Sequence, residues 1–171
     1  MEKKIRVNGI KMSGELIQVN LMQPDDPKDL NALFLKSAAE NRINLTFLSC
    51  TALGMQRQMS YCVPSADFER LKTILAFDPD LKKNAALIAS VGCISIFPHA
   101  FSLKFIGLLT HVFHTARLPL YGIATSLSVV TLTTDFRQID TAVTSLCAHL
   151  KLPSNHAPFA TKAPEIRIER I

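Results

Sequence analysis

The chain carries the same order of parts twice, about 70 residues apart, a spacing that suits one supersecondary unit per copy. The first copy runs Leu16-Ile17-Gln18-Val19-Asn20-Leu21, a polar loop with Pro24 and Pro27, an apolar-periodic helix, then Ile43-Asn44-Leu45-Thr46-Phe47-Leu48. The second runs Ala86-Leu87-Ile88-Ala89-Ser90-Val91, a loop with Pro98, another such helix, then Leu118-Pro119-Leu120-Tyr121-Gly122-Ile123. Each closes on a strand and a helix opened by Asp-Phe, at Asp67-Phe68 and Asp135-Phe136. Two βαββα(β) units in tandem restrict the chain to an α+β architecture, antiparallel sheets with helices on one face. Chains built around such a pseudo-dyad bind in the seams between units, so the expected class is a binding protein and not an enzyme.

The periodicity places the parts. Lys4-Ile5-Arg6-Val7-Asn8-Gly9-Ile10 alternates and suits a short strand, and Ile17, Val19 and Leu21 share one face of the next. Asp26 is placed to cap the first helix and Pro27 to open it. Leu30, Leu33, Phe34 and Ala38 then form one apolar stripe, with Asn41 at its C-cap. Residues 44–51 and 56–63 read as strands around a hairpin at Gly54. The next helix carries Phe68, Leu71 and Leu75, and residues 77–84 read as a linker between halves. Phe101, Phe105, Leu108, Leu109, Val112 and Phe113 stripe the first helix of the second half. Residues 120–125 and 127–133 read as strands. Ile139, Val143, Leu146 and Leu150 stripe the last helix, capped by Thr134 or Asp135. The expected division is residues 1–80, 81–152 and a tail, 153–171. In that tail Ile166 and Ile168 alternate with charge, as an added edge strand or as a frayed end.

Composition narrows the partners. With 48% apolar and 19% charged residues the chain can bury a core. No apolar run reaches the roughly 20 residues of a membrane helix, and the N-terminus does not read as a signal peptide. Cys50, Cys62, Cys93 and Cys147 form no C-x-x-C pair and read as buried thiols of a reducing cytoplasm. The net charge of +5 is dispersed, without tryptophan or an aromatic-basic stripe, which speaks against nucleic acid. His111 and His114 lie three apart on a helix with no third ligand in register, so no metal site is expected. No nucleophile–base set or carboxylate pair can be assembled, and no cofactor motif is present.

Val7-Asn8-Gly9-Ile10 followed by Leu16-Ile17-Gln18-Val19-Asn20-Leu21 resembles the start of the tandem ACT regulatory region of aspartate kinases. Ile43-Asn44-Leu45, the run Ser60-Tyr61-Cys62-Val63-Pro64-Ser65-Ala66-Asp67-Phe68, Val91-Gly92 and Ile123-Ala124-Thr125-Ser126 are similar to further motifs of that family, in the same order. The likeness spans about residues 5–151. It implies two ferredoxin-like βαββαβ ACT units without the kinase domain. It also implies a small amino-acid ligand held where a loop meets a neighbouring unit, and a homodimer formed through the ACT sheets. A signal would pass through that dimer or to a partner enzyme.

On that resemblance the ligand loops are Gln23–Asp29 and Cys93–Ala100, each feeding a helix N-terminus whose free N–H groups suit an α-carboxylate. Asp25 and Asp26 are the candidates to hold an ammonium group. Lys28 and His99 are candidates to contact an anion, with Ser95 in the second loop. Ser49, Thr125 and Ser126 are placed at strand ends facing those loops. The chain departs from the family pattern where Pro27-Lys28 and Pro98-His99 replace Pro-Gly, and where Leu127 follows Ser126 in place of Glu. The alternative reading is an assembly or adaptor module that docks a partner protein and binds no ligand.

Overall fold

The computed structural model describes residues 4–25, 27–54, 56–100 and 102–154. In chain order they form β1 (Ile5–Met12), β2 (Leu16–Gln23), α1 (Leu30–Glu40), β3 (Phe47–Leu53), β4 (Gln56–Pro64), α2 (Phe68–Phe77) and α3 (Pro79–Asn84). Then come β5 (Ala85–Pro98), α4 (Leu103–Thr115), β6 (Gly122–Thr125), β7 (Val130–Asp135), α5 (Ile139–His149) and β8 (Leu150–Lys151). The fold is α+β, as the repeat implies. Two compact units share the chain: residues 15–91, and residues up to 14 together with those from 92 onward.

In the unit of residues 15–91 the strand order is β3-β4-β2-β5, and every neighbour is antiparallel. The odd residues Ile17, Val19 and Leu21 of β2 and Tyr61 and Val63 of β4 face one way, as a two-residue period requires. They pack on Leu30, Phe34 and Ala38 of α1, Leu71, Ile74 and Leu75 of α2, and Leu81 of α3. Gly54 turns the β3–β4 hairpin at φ 63°, a left-handed value that glycine adopts freely.

In the other unit the order is β6-β7-β5-β1-β8, with β1 antiparallel to β5 and parallel to β8. A bulge at Asn8 shifts the register, so Val7 and Ile10 both reach the core although they are three residues apart. Ile94 and Ile96 of β5, Phe105, Leu109, Val112 and Phe113 of α4, and Ile139, Val143 and Leu146 of α5 complete it.

The two copies also end their first helices alike. Ile43 N–H donates to Ala38 O and Leu118 N–H to Phe113 O, each 2.9 Å, closing a Schellman motif. Arg42 (φ 55°) and Arg117 (φ 54°) take the left-handed position that glycine usually fills. Asn41 is the C-cap, as expected.

Several expectations are corrected. Residues 77–84 are not a linker: Asp78 caps α3, Pro79 opens it, and Leu81 is fully buried. The first helix begins at Leu30 and is capped by Asp29, so Pro27 lies in the loop, and Asp26 is outside the described residues. Residues 92–98 are not a loop but the second half of β5, because Ile94 and Ile96 alternate inward against Ser95 and Phe97. β1 belongs with the residues from 92 onward, because its antiparallel partner is that half of β5. The break expected at residue 80 therefore falls at residue 91. Cys62 and Cys93 are buried and Cys147 is half-buried, but Cys50 is exposed on β3, the last strand in its unit's order. Phe101 and the tail residues 155–171 lie outside the described residues. Among the described residues no helix is long and apolar enough to cross a membrane.

Candidate functional site

The loop between β2 and α1 is held by groups on both sides of it. Gln23, the last residue of β2, is 3% exposed, and its amide makes four hydrogen bonds. Its Oε1 accepts from the Leu30 N–H (2.7 Å) and from Asn31 Nδ2 (3.4 Å). Its Nε2 donates to the carbonyls of Pro24 (3.1 Å) and Lys28 (2.9 Å). Asn31 in turn accepts from the Tyr61 hydroxyl at 3.2 Å. Burial pushes the Tyr61 phenol up to about 12, with Cys50 and Asp29 adding in the same direction. A satisfied buried amide at this point ties the end of β2 to Lys28 and to the start of α1.

The helix N-terminus that the loop feeds is occupied. Asp29 accepts from the N–H groups of Asn31 and Ala32, each at 3.0 Å, and its carbonyl accepts from Leu33 at 3.1 Å. With Leu30 bonded to Gln23, all four leading N–H groups of α1 have protein partners. A carboxylate therefore has no bare backbone to meet there.

Lys28 is likewise engaged. Its Nζ lies 2.7 Å from a carboxylate oxygen of Asp78 and 2.7 Å from one of Asp80. The Asp78 hydrogen bond, followed by that of Asp80, raises the Lys28 pKa above 10.5. The Lys28 hydrogen bond holds the Asp78 carboxyl below 3.8. The depressed Asp78 contributes stability that is present above 3.8 and lost as pH falls through its folded value; the raised Lys28 contributes stability that is present below 10.5 and lost as pH rises through its own. Lys28→Met should therefore lower the melting temperature between those limits. The gap from wild type should close in more acid and more alkaline solution, as a pH series of thermal melts would show.

The remaining candidates are dispersed. Asp25 is exposed in the β2–α1 loop. Ser49 is not at a strand end but within β3, in register with Ser60 of β4, so β4 separates it from β2 and its loop. Ser95 is within β5, and its hydroxyl lies 3.1 Å from that of Thr131. Thr125 ends β6, and the Ser126 N–H donates to Val129 O at 2.9 Å in the turn before β7. His99 follows β5, is exposed, and lines an open cavity of about 490 Å³. Gln23, Asn31 and Tyr61 were not among the residues singled out from sequence. A buried-register glutamine just before a Pro-Asp loop is the signal that marks them.

No family model matches the chain, and no curated protein matches it in sequence. Solved structures do. The chain is similar to the ligand-free regulatory subunit of aspartate kinase from Thermus thermophilus, at TM-score 0.70 and 18% identity, over 85% of this chain and 99% of that one. It is similar to the corresponding subunit from Thermus flavus at TM-score 0.71 and 18% identity, over 86% and 99% of the two chains. It also matches E. coli aspartokinase III in complex with lysine and aspartate, at TM-score 0.65 and 9% identity, over 88% of this chain but 34% of that one. The chain thus has the paired ACT fold of the aspartate kinase regulatory region.

Proposed function

We propose that the chain is a tandem ACT regulatory protein that senses a small amino-acid-like ligand in the cytoplasm and signals through homodimerisation or a partner enzyme. The observation that carries this reading is the β2–α1 loop, fixed by Gln23 and by the Lys28–Asp78–Asp80 cluster, with Asp25 exposed upon it. A loop braced at both ends costs a ligand less ordering entropy than a free one. Because the α1 N–H groups are taken, the loop suits the ammonium end of a ligand, held by Asp25 and its neighbour Asp26. The lysine-bound state of E. coli aspartokinase III supports the ligand class. Binding would bias one arrangement of ACT units over another, a population shift.

A thermal-shift screen against the twenty amino acids, with calorimetry on hits, tests this. A ligand present at 1,000 times its dissociation constant adds about 4 kcal/mol. Asp25→Asn should weaken a genuine hit and Asp140→Asn should not. A flat screen favours the adaptor reading, for which the exposed side chains of Leu127 (100%), Leu103 (86%) and Phe77 (81%) are candidate contacts. Capture of a defined partner by the wild type, lost on Leu127→Ser, would then establish it.

A further inference from the structure

The second unit carries a cavity that the β2–α1 loop does not explain. It measures about 490 Å³ and is lined by Arg6 and Asn8 of β1, His99 beyond β5, and Lys151, Leu152 and Ser154 at and after β8. That volume lies in the range of small-molecule sites. Among the described residues no carboxylate lines it, and none pairs with Arg6, His99 or Lys151.

The strand register makes the charge arrangement unusual. Arg6 and Lys151 are direct partners across the parallel β1–β8 pair. Partners on neighbouring strands project to the same face, and like charges directly opposite one another are destabilising. Both alternate with core residues, Val7 and Leu150, so both stand on the face away from the helices. The bulge at Asn8 lies in the same wall and breaks the ladder there, a device found beside binding sites. Its Nδ2 donates to Pro98 O at 3.4 Å, which ties that wall to the backbone just before His99.

We propose that this cavity is a site for a compact dianion, a phosphate group or a paired carboxylate on a small molecule. The Arg6 fork and the Lys151 ammonium would hold the charge, with His99, Asn8 and Ser154 supplying hydrogen bonds at the rim. The bound anion offsets the Arg6–Lys151 repulsion, so occupancy adds stability that neither cation contributes alone. The site uses none of the β2–α1 loop and shares only His99 with the candidates for the amino-acid ligand.

The test is a titration of the full chain with inorganic phosphate and, separately, with succinate, followed by amide NMR at low salt. Binding should shift the amides of residues 6–8 and 151–154, and 0.3 M sodium chloride should weaken it several-fold. Arg6→Gln and Lys151→Gln should each weaken it about tenfold, whereas Lys104→Gln, on α4 and outside the cavity, should not. These are exposed positions, so the folds should survive. Phosphate binding without succinate binding assigns a phosphoryl ligand, and the reverse assigns a dicarboxylate. No saturable shift with either, or shifts indifferent to Arg6 and Lys151, overturns the proposal. A flat amino-acid screen beside a positive phosphate titration would separate failure of the sensor reading from failure of this one.

Discussion

Gly92→Ala is expected to destabilise the protein by about 1–3 kcal/mol, although alanine normally strengthens a strand that glycine interrupts. A methyl group at position 92 would stand 2.6 Å from Ile139 Cδ1 and 3.2 Å from Phe136 Cδ2. Ile139 begins α5 and is only 2% exposed, so its end can give way only by displacing neighbours in a close-packed core. Gly92→Val should be worse. The cause can be isolated, because Ile139→Val removes the Cδ1 atom that clashes. Alone, that change should cost about 0.5–1.5 kcal/mol, and in the double variant the two losses should sum to less than their separate values. Chemical denaturation of the four proteins measures this coupling. Strict additivity would show that the helix does not depend on close approach at Gly92.

That contact illustrates what the sequence carried and what it hid. The paired order of elements, the apolar faces of β2 and α1 and the cap at Asn41 are local periodicities, and all are in the structure. The alternation of Ile94 and Ile96 was equally local, but Pro98 and the repeat alignment suggested a loop, and a strand continues through it. Which unit β1 joins is a pairing across more than 80 residues, and no local pattern fixes such a choice. The site was legible as a loop but not as an arrangement. Lys28 was visible as a cation, whereas its carboxylates lie 50 and 52 residues away. The Arg6–Lys151 pairing is more remote still, and a two-residue strand such as β8 leaves almost no pattern to read.

Gln23→Leu should cost about 3 kcal/mol, because it leaves the buried Leu30 N–H without a partner and deprives the Pro24 and Lys28 carbonyls of theirs. The side chain is matched in size, so packing loss is not the cause. The melting temperature should fall by about 6–12 °C. Gln23→Glu separates the two halves of the amide. It retains an acceptor for Leu30 but turns a carboxylate oxygen toward the two carbonyls, so at neutral pH it too should destabilise. Protonation in acid restores one donor, so the loss relative to wild type should shrink as pH falls. Hydrogen exchange gives the local readout: the Leu30 amide should exchange faster in Gln23→Leu, while core amides of α4 follow only the global change. If the Leu30 amide kept its protection, the loop would be fixed by the Lys28 cluster alone. Any ligand preference of the β2–α1 loop should then survive Gln23→Leu and vanish in Lys28→Met.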